Sequence, residues 1–106
     1  NMKKTLQVAL LAGASLIAVN AQADQALATS AGCMACHQID VKVVGPSYKE
    51  VAAKYKGQDG AQETLTASAI AGGAGKWGPI PMPAKGGRMD VSDEDIGKIV
   101  AWILTL

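Results

Sequence analysis

The stretch CMACH, residues 33–37, contains both cysteines and the single histidine of this 106-residue chain. Two thiols and one imidazole packed so closely are typical of three kinds of chemistry: a zinc site, a cysteine pair that forms a redox dithiol or a disulfide, and covalent attachment of haem. The rest of the sequence discriminates among the three.

A zinc site is the first interpretation. Structural zinc takes four protein ligands, whereas Cys33, Cys36 and His37 supply three, with Asp40 as a fourth only on paper. Because Cys36 and His37 are adjacent, the chain would also have to bend sharply for both to share one tetrahedron. The sequence therefore disfavours zinc.

A cysteine pair without a metal leaves part of the motif unexplained. A thioredoxin-like dithiol is expected beside a βαβ pattern, and the sequence shows no sustained strand alternation. A disulfide between Cys33 and Cys36 would close a loop so short that it stabilises the fold little. Either interpretation leaves His37 without a role.

Covalent attachment of haem gives every residue of the motif a role. The two thiols add to the haem vinyl groups as thioethers, and their spacing places both sulfur atoms on one edge of the ring. His37 follows immediately and can bind the iron from one face. We therefore predict one covalently bound haem c, attached through Cys33 and Cys36, with His37 as an axial ligand of its iron.

The first 23 residues have the pattern of a cleaved signal peptide. They contain a positive start at 3–4, an apolar run at 6–19 and the small-x-small cleavage pattern at 21–23. The apolar run is shorter than the roughly 20 residues of a membrane span, so a retained anchor is the weaker alternative. We expect an exported, periplasmic domain of residues 24–106 that does not span the membrane, with Asn1 as a remnant.

The composition of the mature part, residues 24–106, limits its partners and its core. It has eight basic and nine acidic side chains, hence a net charge of −1, and it contains no phenylalanine. It lacks the clustered positive charge of a nucleic-acid footprint, so no nucleic-acid partner is expected. A domain of 83 residues has a limited core, which a large apolar cofactor would complete.

The periodicity of apolar residues predicts an all-α domain. Helical spacing occurs in four segments: 26–32, 47–55, 61–71 and from Ser92 onward. Ser92 is the predicted N-cap of the last helix, with Val91 and Ile96 as a hydrophobic staple. Residues 72–88, between the third and fourth segments, are rich in glycine and proline and predict a long functional loop.

A methionine is the candidate for the second iron ligand, because the chain has no second histidine. Met34 lies between the cysteines, at the attached edge of the ring, and cannot reach the opposite face; Met89 shortly precedes the last helix. Met82 lies between Pro81 and Pro83, which stiffen the loop backbone. We predict Met82 as the ligand, with packing in the core as the alternative.

Four segments resemble the small monohaem class I cytochromes c of bacteria, in the short periplasmic form of denitrifiers and other respiring Gram-negative bacteria: CMACHQID, VVGPSYKEVAAKY, KWGPIPMP and DVSDEDIGKIVAWIL. The resemblance covers residues 24–106. It implies a four-to-five-helix class I cytochrome c fold wrapped around one covalently attached haem. It also implies Cys33 and Cys36 as thioether anchors, His37 as the proximal ligand and Met82 as the distal ligand.

The same resemblance implies a haem pocket. Pro46 resembles the proline whose carbonyl accepts a hydrogen bond from Nδ1–H of the ligand histidine. Trp77 resembles the indole that donates to a haem propionate, and Ile80 is expected to line the pocket from the same loop. Trp102 resembles the aromatic residue where the terminal helices cross.

Two segments depart from the family pattern. AKGGRMD, residues 84–90, is longer and richer in glycine than the usual connection after the ligand methionine. The predicted helix 61–71 has no lysine or arginine, although many relatives place one there near a propionate. This helix therefore supplies no cation for a propionate.

We expect this chain to act as a periplasmic one-electron carrier and not as an enzyme, because an iron with both axial positions filled has no site for a substrate. Expected partners are redox proteins such as a periplasmic reductase, a terminal oxidase or a quinol–cytochrome c oxidoreductase. The alternatives are a haem peroxidase or gas-binding haem protein, if Met82 is not an iron ligand, and a structural or assembly role. Four cations flank the haem loops and are predicted to steer an acidic partner, with ordinary solvated surface as the alternative: Lys42, Lys76, Lys85 and Arg88.

Overall fold

The structure, a computed structural model, describes residues 24–106. The predicted signal peptide, residues 1–23, lies outside the described residues. The elements of the described part are α1 (residues 24–30), α2 (Tyr48–Tyr55), α3 (Ala61–Ala71) and α4 (Asp93–Ile103), with short 3₁₀ helices at Cys33–Ala35 and Ala84–Gly87. This part contains no strand beyond one isolated bridge, and the predicted all-α class is confirmed. None of its helices is long and apolar enough to cross a membrane.

Helix α2 begins at a capping box that the sequence analysis missed. The Ser47 hydroxyl accepts a hydrogen bond from the Glu50 N–H at 3.1 Å, and the Glu50 carboxylate accepts one from the Ser47 N–H at 3.4 Å. The S-x-x-E pattern of residues 47–50 was the available signal. Because Ser47 is buried, the box fixes the point at which the chain turns from Pro46 into α2.

Helix α4 begins at the predicted cap. The Ser92 hydroxyl accepts a hydrogen bond from the Asp95 N–H at 3.1 Å, and three acidic residues occupy the first turn, where the helix dipole favours them. Val91 and Ile96 are both buried in the hydrophobic cluster, as a staple requires. One stripe of α4 supplies more buried residues than any other helix of the described part: Ile96, Ile99, Val100, Trp102 and Ile103.

The hydrophobic core is thin on the side of α3. This helix contributes only Ala61 as a buried residue, and no large side chain in the described part is less than 2 % exposed. Leu65 and Ala69 of α3 instead line a cavity whose other walls include residues of α2 and α4. Because apolar surface is stabilised by removal from water, the core is complete only when an apolar group fills this cavity.

Candidate functional site

One cavity of about 510 Å³ brings together all the residues predicted for the haem site. Its volume lies in the range of sites for small ligands and cofactors. Apolar side chains of α2, α3 and α4 form much of its wall. The predicted residues that line it are Cys33, Cys36, His37, Pro46, Trp77, Ile80 and Met82.

The CMACH stretch folds into a tight helical turn that carries both cysteines to the cavity. The N–H groups of Cys36 and His37 donate to the Cys33 carbonyl, at 3.3 and 3.0 Å. Residues at i and i+3 of such a turn share one face. The two cysteines form no disulfide and both line the cavity, so the turn presents a pair of sulfur atoms to whatever fills it.

The imidazole of His37 is held by a backbone carbonyl. Its Nδ1 lies 2.8 Å from the carbonyl oxygen of Pro46, a contact in which Nδ1 carries the proton and donates it. In this tautomer Nε2 keeps its lone pair, and it has no hydrogen-bond partner among residues 24–106. A ligating histidine typically has this second hydrogen bond, which orients the ring and raises its basicity.

Gly45 is a site residue that the sequence analysis missed. A β-carbon at this position would lie 2.8 Å from Nδ1 and 3.0 Å from Nε2 of His37, and closer still to Cε1. The Gly45 N–H donates to the Cys36 carbonyl at 2.8 Å, which keeps the backbone close to the ring. The Gly-Pro pair indicated a turn, but no local pattern showed that an imidazole packs on its α-carbon.

Aromatic stacking fixes the plane of the His37 ring. The imidazole stacks on Tyr48 with centroids 5.1 Å apart and planes 17° apart. Tyr48 in turn meets the buried Trp102 of α4 edge-on, at 5.7 Å and 87°. Burial raises the pKa of the Tyr48 hydroxyl well above its ordinary value of 10, so this group stays protonated beside Cys33.

Met82 is fastened to the end of α3. Its N–H donates to the Gly73 carbonyl at 2.8 Å, and the Gly73 N–H donates to the Met82 carbonyl at 3.0 Å. Gly72 allows this approach: its φ is +72°, and a β-carbon there would lie 2.6 Å from the Met82 carbonyl oxygen. The stiffening that Pro81 and Pro83 predict is therefore joined by a backbone link to α3.

Comparison with known proteins agrees with this geometry. The family model described as Cytochrome c matches residues 21–106. The chain belongs to the cytochrome c family. Cytochrome c-551 of Allochromatium vinosum is 46% identical over 93 residues, which are 88% of this chain and 96% of the relative. Cytochrome c-552 of Nitrosomonas europaea is 47% identical over 95 residues, 90% and 89% of the two chains. The crystal structure of wild-type Nitrosomonas europaea cytochrome c552 has a TM-score of 0.72 at 45% identity and covers 77% of this chain and 98% of its own.

The comparison confirms the predicted family of small class I monohaem cytochromes and the predicted class I fold. The cofactor of this chain is therefore one covalently bound haem c, and the members of the family are electron carriers. The cavity fits this cofactor: α3 turns Leu65 and Ala69 toward it, and the two cysteines that can attach it line the cavity from a single turn. The prediction of one haem c is confirmed.

The remaining methionines of the described part lie away from the cavity. Met34 is half-buried and packs against the hydrophobic cluster. Met89 is 67 % exposed. Within residues 24–106 Met82 is the one methionine that lines the cavity of this cytochrome c.

Trp77 and Ile80 form part of the rim of the cavity. Their exposed fractions are 38 % and 62 %, although both also line the interior. The Lys54 ammonium lies 4.5 Å from the centroid of the Trp77 ring, a cation–π contact that holds the indole against α2. Trp77 and Ile80 therefore expose apolar surface where the cavity of this cytochrome c opens.

Two of the four cations predicted to steer a partner are already paired. The Lys85 ammonium donates to the Val91 carbonyl at 2.6 Å and lies 2.8 Å from the Asp93 carboxylate, and its side chain is only 11 % exposed. Arg88 donates to the Asp90 carboxylate at 3.0 and 2.9 Å, which lowers the pKa of Asp90. Lys85 and Arg88 are therefore paired with Asp93 and Asp90, and their steering of a partner stays a prediction.

Proposed function

We propose that this cytochrome c carries single electrons between redox proteins of the periplasm, with His37 and Met82 as the two axial ligands of the haem iron. Cys33 and Cys36 attach the haem by thioether bonds. The iron supplies a one-electron couple when the haem is bound. The chain's own residues set the ligands, the polarity around them and the access of other molecules.

The observation that supports this proposal is the presence of His37 and Met82 in one cavity with both cysteines, each fixed through the backbone. The Pro46 carbonyl sets the tautomer of His37 at 2.8 Å. The link to Gly73 sets the position of Met82. Two ligands held in advance need little rearrangement when the iron changes its charge, and they leave no coordination position for a substrate. The proposed role of this cytochrome c is therefore electron transfer and not catalysis.

The residues of the cavity also favour the reduced form. A histidine and methionine pair gives a higher reduction potential than bis-histidine ligation. A wall made largely of apolar side chains, such as Val51, Leu65 and Ile99, disfavours the extra positive charge of the oxidised centre. A fairly high potential suits a donor to a terminal oxidase or a periplasmic reductase.

The periplasmic location and the partners follow from the predicted signal peptide and from the rim. Trp77 and Ile80 expose apolar surface where the cavity opens. Such a patch suits brief contact with a second redox protein, for which we propose a periplasmic reductase, a terminal oxidase or a quinol–cytochrome c oxidoreductase. Recovery of the haem protein in the cytoplasmic fraction, with residues 1–23 still attached, would contradict the periplasmic part of the proposal.

Carbon monoxide binding to the reduced protein tests the carrier role. Carbon monoxide should not change the absorption spectrum of the wild-type protein, because Met82 occupies the sixth coordination position of the haem iron. The Met82→Ala variant should bind the gas, and the Met89→Ala variant, which changes an exposed methionine, should behave as wild type. Ready binding of carbon monoxide or turnover of peroxide by the wild-type protein would instead indicate a gas-binding protein or a peroxidase.

A further inference from the structure

The charged side chains that line the cavity are all positive. Among its lining residues are the three lysines Lys42, Lys76 and Lys85, and no aspartate or glutamate. A haem bears two propionate carboxylates on the edge of the ring opposite its thioether bonds. Such carboxylates need a cation or hydrogen-bond donors, and helix α3 contains no lysine or arginine.

Lys85 and Lys42 are poorly suited to this task. Lys85 is already neutralised by Asp93 and donates to the Val91 carbonyl. Lys42 lies in the exposed segment 41–44 and makes no hydrogen bond or ion pair within the described part of the chain. Its side chain is therefore not held in any one position.

Lys76 is held toward the cavity by helix α3. Its ammonium donates to the Ser68 hydroxyl at 3.2 Å, and both residues line the cavity next to Trp77. Ser68 lies near the C-terminus of α3, where the helix dipole favours a cation. Lys76 therefore places a positive charge beside α3, although the sequence of α3 contains no lysine or arginine.

We propose that Lys76, positioned by Ser68, is the cation that pairs with a haem propionate in this chain. The ammonium has three N–H donors, and the Ser68 contact uses one of them. Because the Ser68 oxygen accepts from Lys76, its own hydroxyl hydrogen is free to donate to the same carboxylate. This inference rests on the seating of the haem in the cavity described above.

The pairing makes the pH dependence of the reduction potential a direct measure of Lys76. A nearby cation lowers the pKa of a carboxyl group by about 1 to 3 units, and the exposed position of Lys76 favours the lower end. The charged groups around this region are Lys54 of α2, which lies over the Trp77 ring, Lys42, and Lys85 with its partner Asp93. All of them stay in place when Lys76 is changed.

The experiment is a potentiometric titration of the holoprotein from about pH 3 to about pH 9, which includes most of the range where carboxyl groups in proteins titrate. The reduction potential should show a step at the pH where the propionate titrates. In Lys76→Met this pH should be about one unit higher than in the wild-type protein. Ser68→Ala should raise it by less. Lys42→Met, which removes a lining lysine that nothing holds, should leave it unchanged.

A rescue variant separates charge from structure. Ser68→Lys added to Lys76→Met places the cation on α3 itself and should return the step toward its wild-type pH. An unmoved step in Lys76→Met, an equal shift in Lys42→Met, or failure of the rescue would each overturn the assignment. The near-infrared sulfur-to-iron band, recorded on the same samples, reports the axial ligation separately. Its persistence alongside an unmoved step would refute Lys76 while leaving the proposed ligands intact.

Discussion

Because Gly45 packs on the His37 ring, we predict that even the small change Gly45→Ala destabilises the holoprotein. In Gly45→Ala, the added methyl carbon would lie 2.8 Å from Nδ1 and 3.0 Å from Nε2. Gly45 is not among the residues with positive φ, so backbone strain plays no part. The whole effect comes from the contact with the imidazole.

The magnitude follows from the distances. Ordinary contacts to a carbon atom are about 3.5–4.0 Å, so the ring must retreat by more than ~0.5 Å from a position fixed by the 2.8 Å bond to Pro46. Overpacking of this kind costs about 1–3 kcal/mol, and weakening one hydrogen bond adds about 1 kcal/mol. We expect Gly45→Ala to lower the free energy of unfolding of the holoprotein by about 2–4 kcal/mol.

Guanidinium denaturation of the oxidised holoprotein measures this loss, and Gly97→Ala is the matched control. A β-carbon at Gly97 would make only ordinary contacts, at 3.9 and 4.0 Å. Because Gly97 lies inside α4, alanine there should stabilise the protein by about 0.5–1 kcal/mol. The same change from glycine to alanine should therefore lower the free energy of unfolding at position 45 and raise it at position 97. A Gly45→Ala protein within about 0.5 kcal/mol of wild type, with an unchanged visible spectrum, would refute the role given to Gly45.

Two further predictions concern stability and are measured by the same denaturation. Ser47→Ala removes the hydroxyl that accepts from the Glu50 N–H in a buried capping box and should cost about 1–2 kcal/mol, more than Ser92→Ala, whose cap is exposed; equal losses would count against the box. Lys85→Met leaves the Val91 carbonyl without its donor and should cost about 2 kcal/mol. Lys98→Met, which breaks an exposed pair at 3.6 Å, should cost at most about 0.5 kcal/mol, and a similar loss in both would contradict the buried role of Lys85.

The helices could be predicted closely because their ends carry local signals. Gly60 and Gly72 mark the two ends of α3, which covers Ala61–Ala71 as expected. Ser92 and the acidic residues that follow it mark the start of α4. The haem attachment stretch could also be read directly, because all its chemistry lies within five consecutive residues.

The parts that escaped prediction depend on contacts between distant segments. The link between Gly73 and Met82 is a backbone pairing, and the packing of Gly45 on His37 appears only after the turn has closed. Neither has a periodicity or a spacing that identifies it. The Lys85 pair with Asp93 was missed for the same reason: the acid is visible in the sequence, but the fold of the glycine-rich loop that brings it close is not.

The measurement that most directly tests the proposed ligation is the near-infrared absorption of the oxidised holoprotein, where a weak band reports a methionine sulfur bound to haem iron. We expect the band in the wild-type protein and in Met89→Ala, and its loss in Met82→Ala. Met82 lines the cavity, whereas Met89 is 67 % exposed. A band that survives Met82→Ala, or a high-spin wild-type protein without the band, would contradict the proposed pair of His37 and Met82.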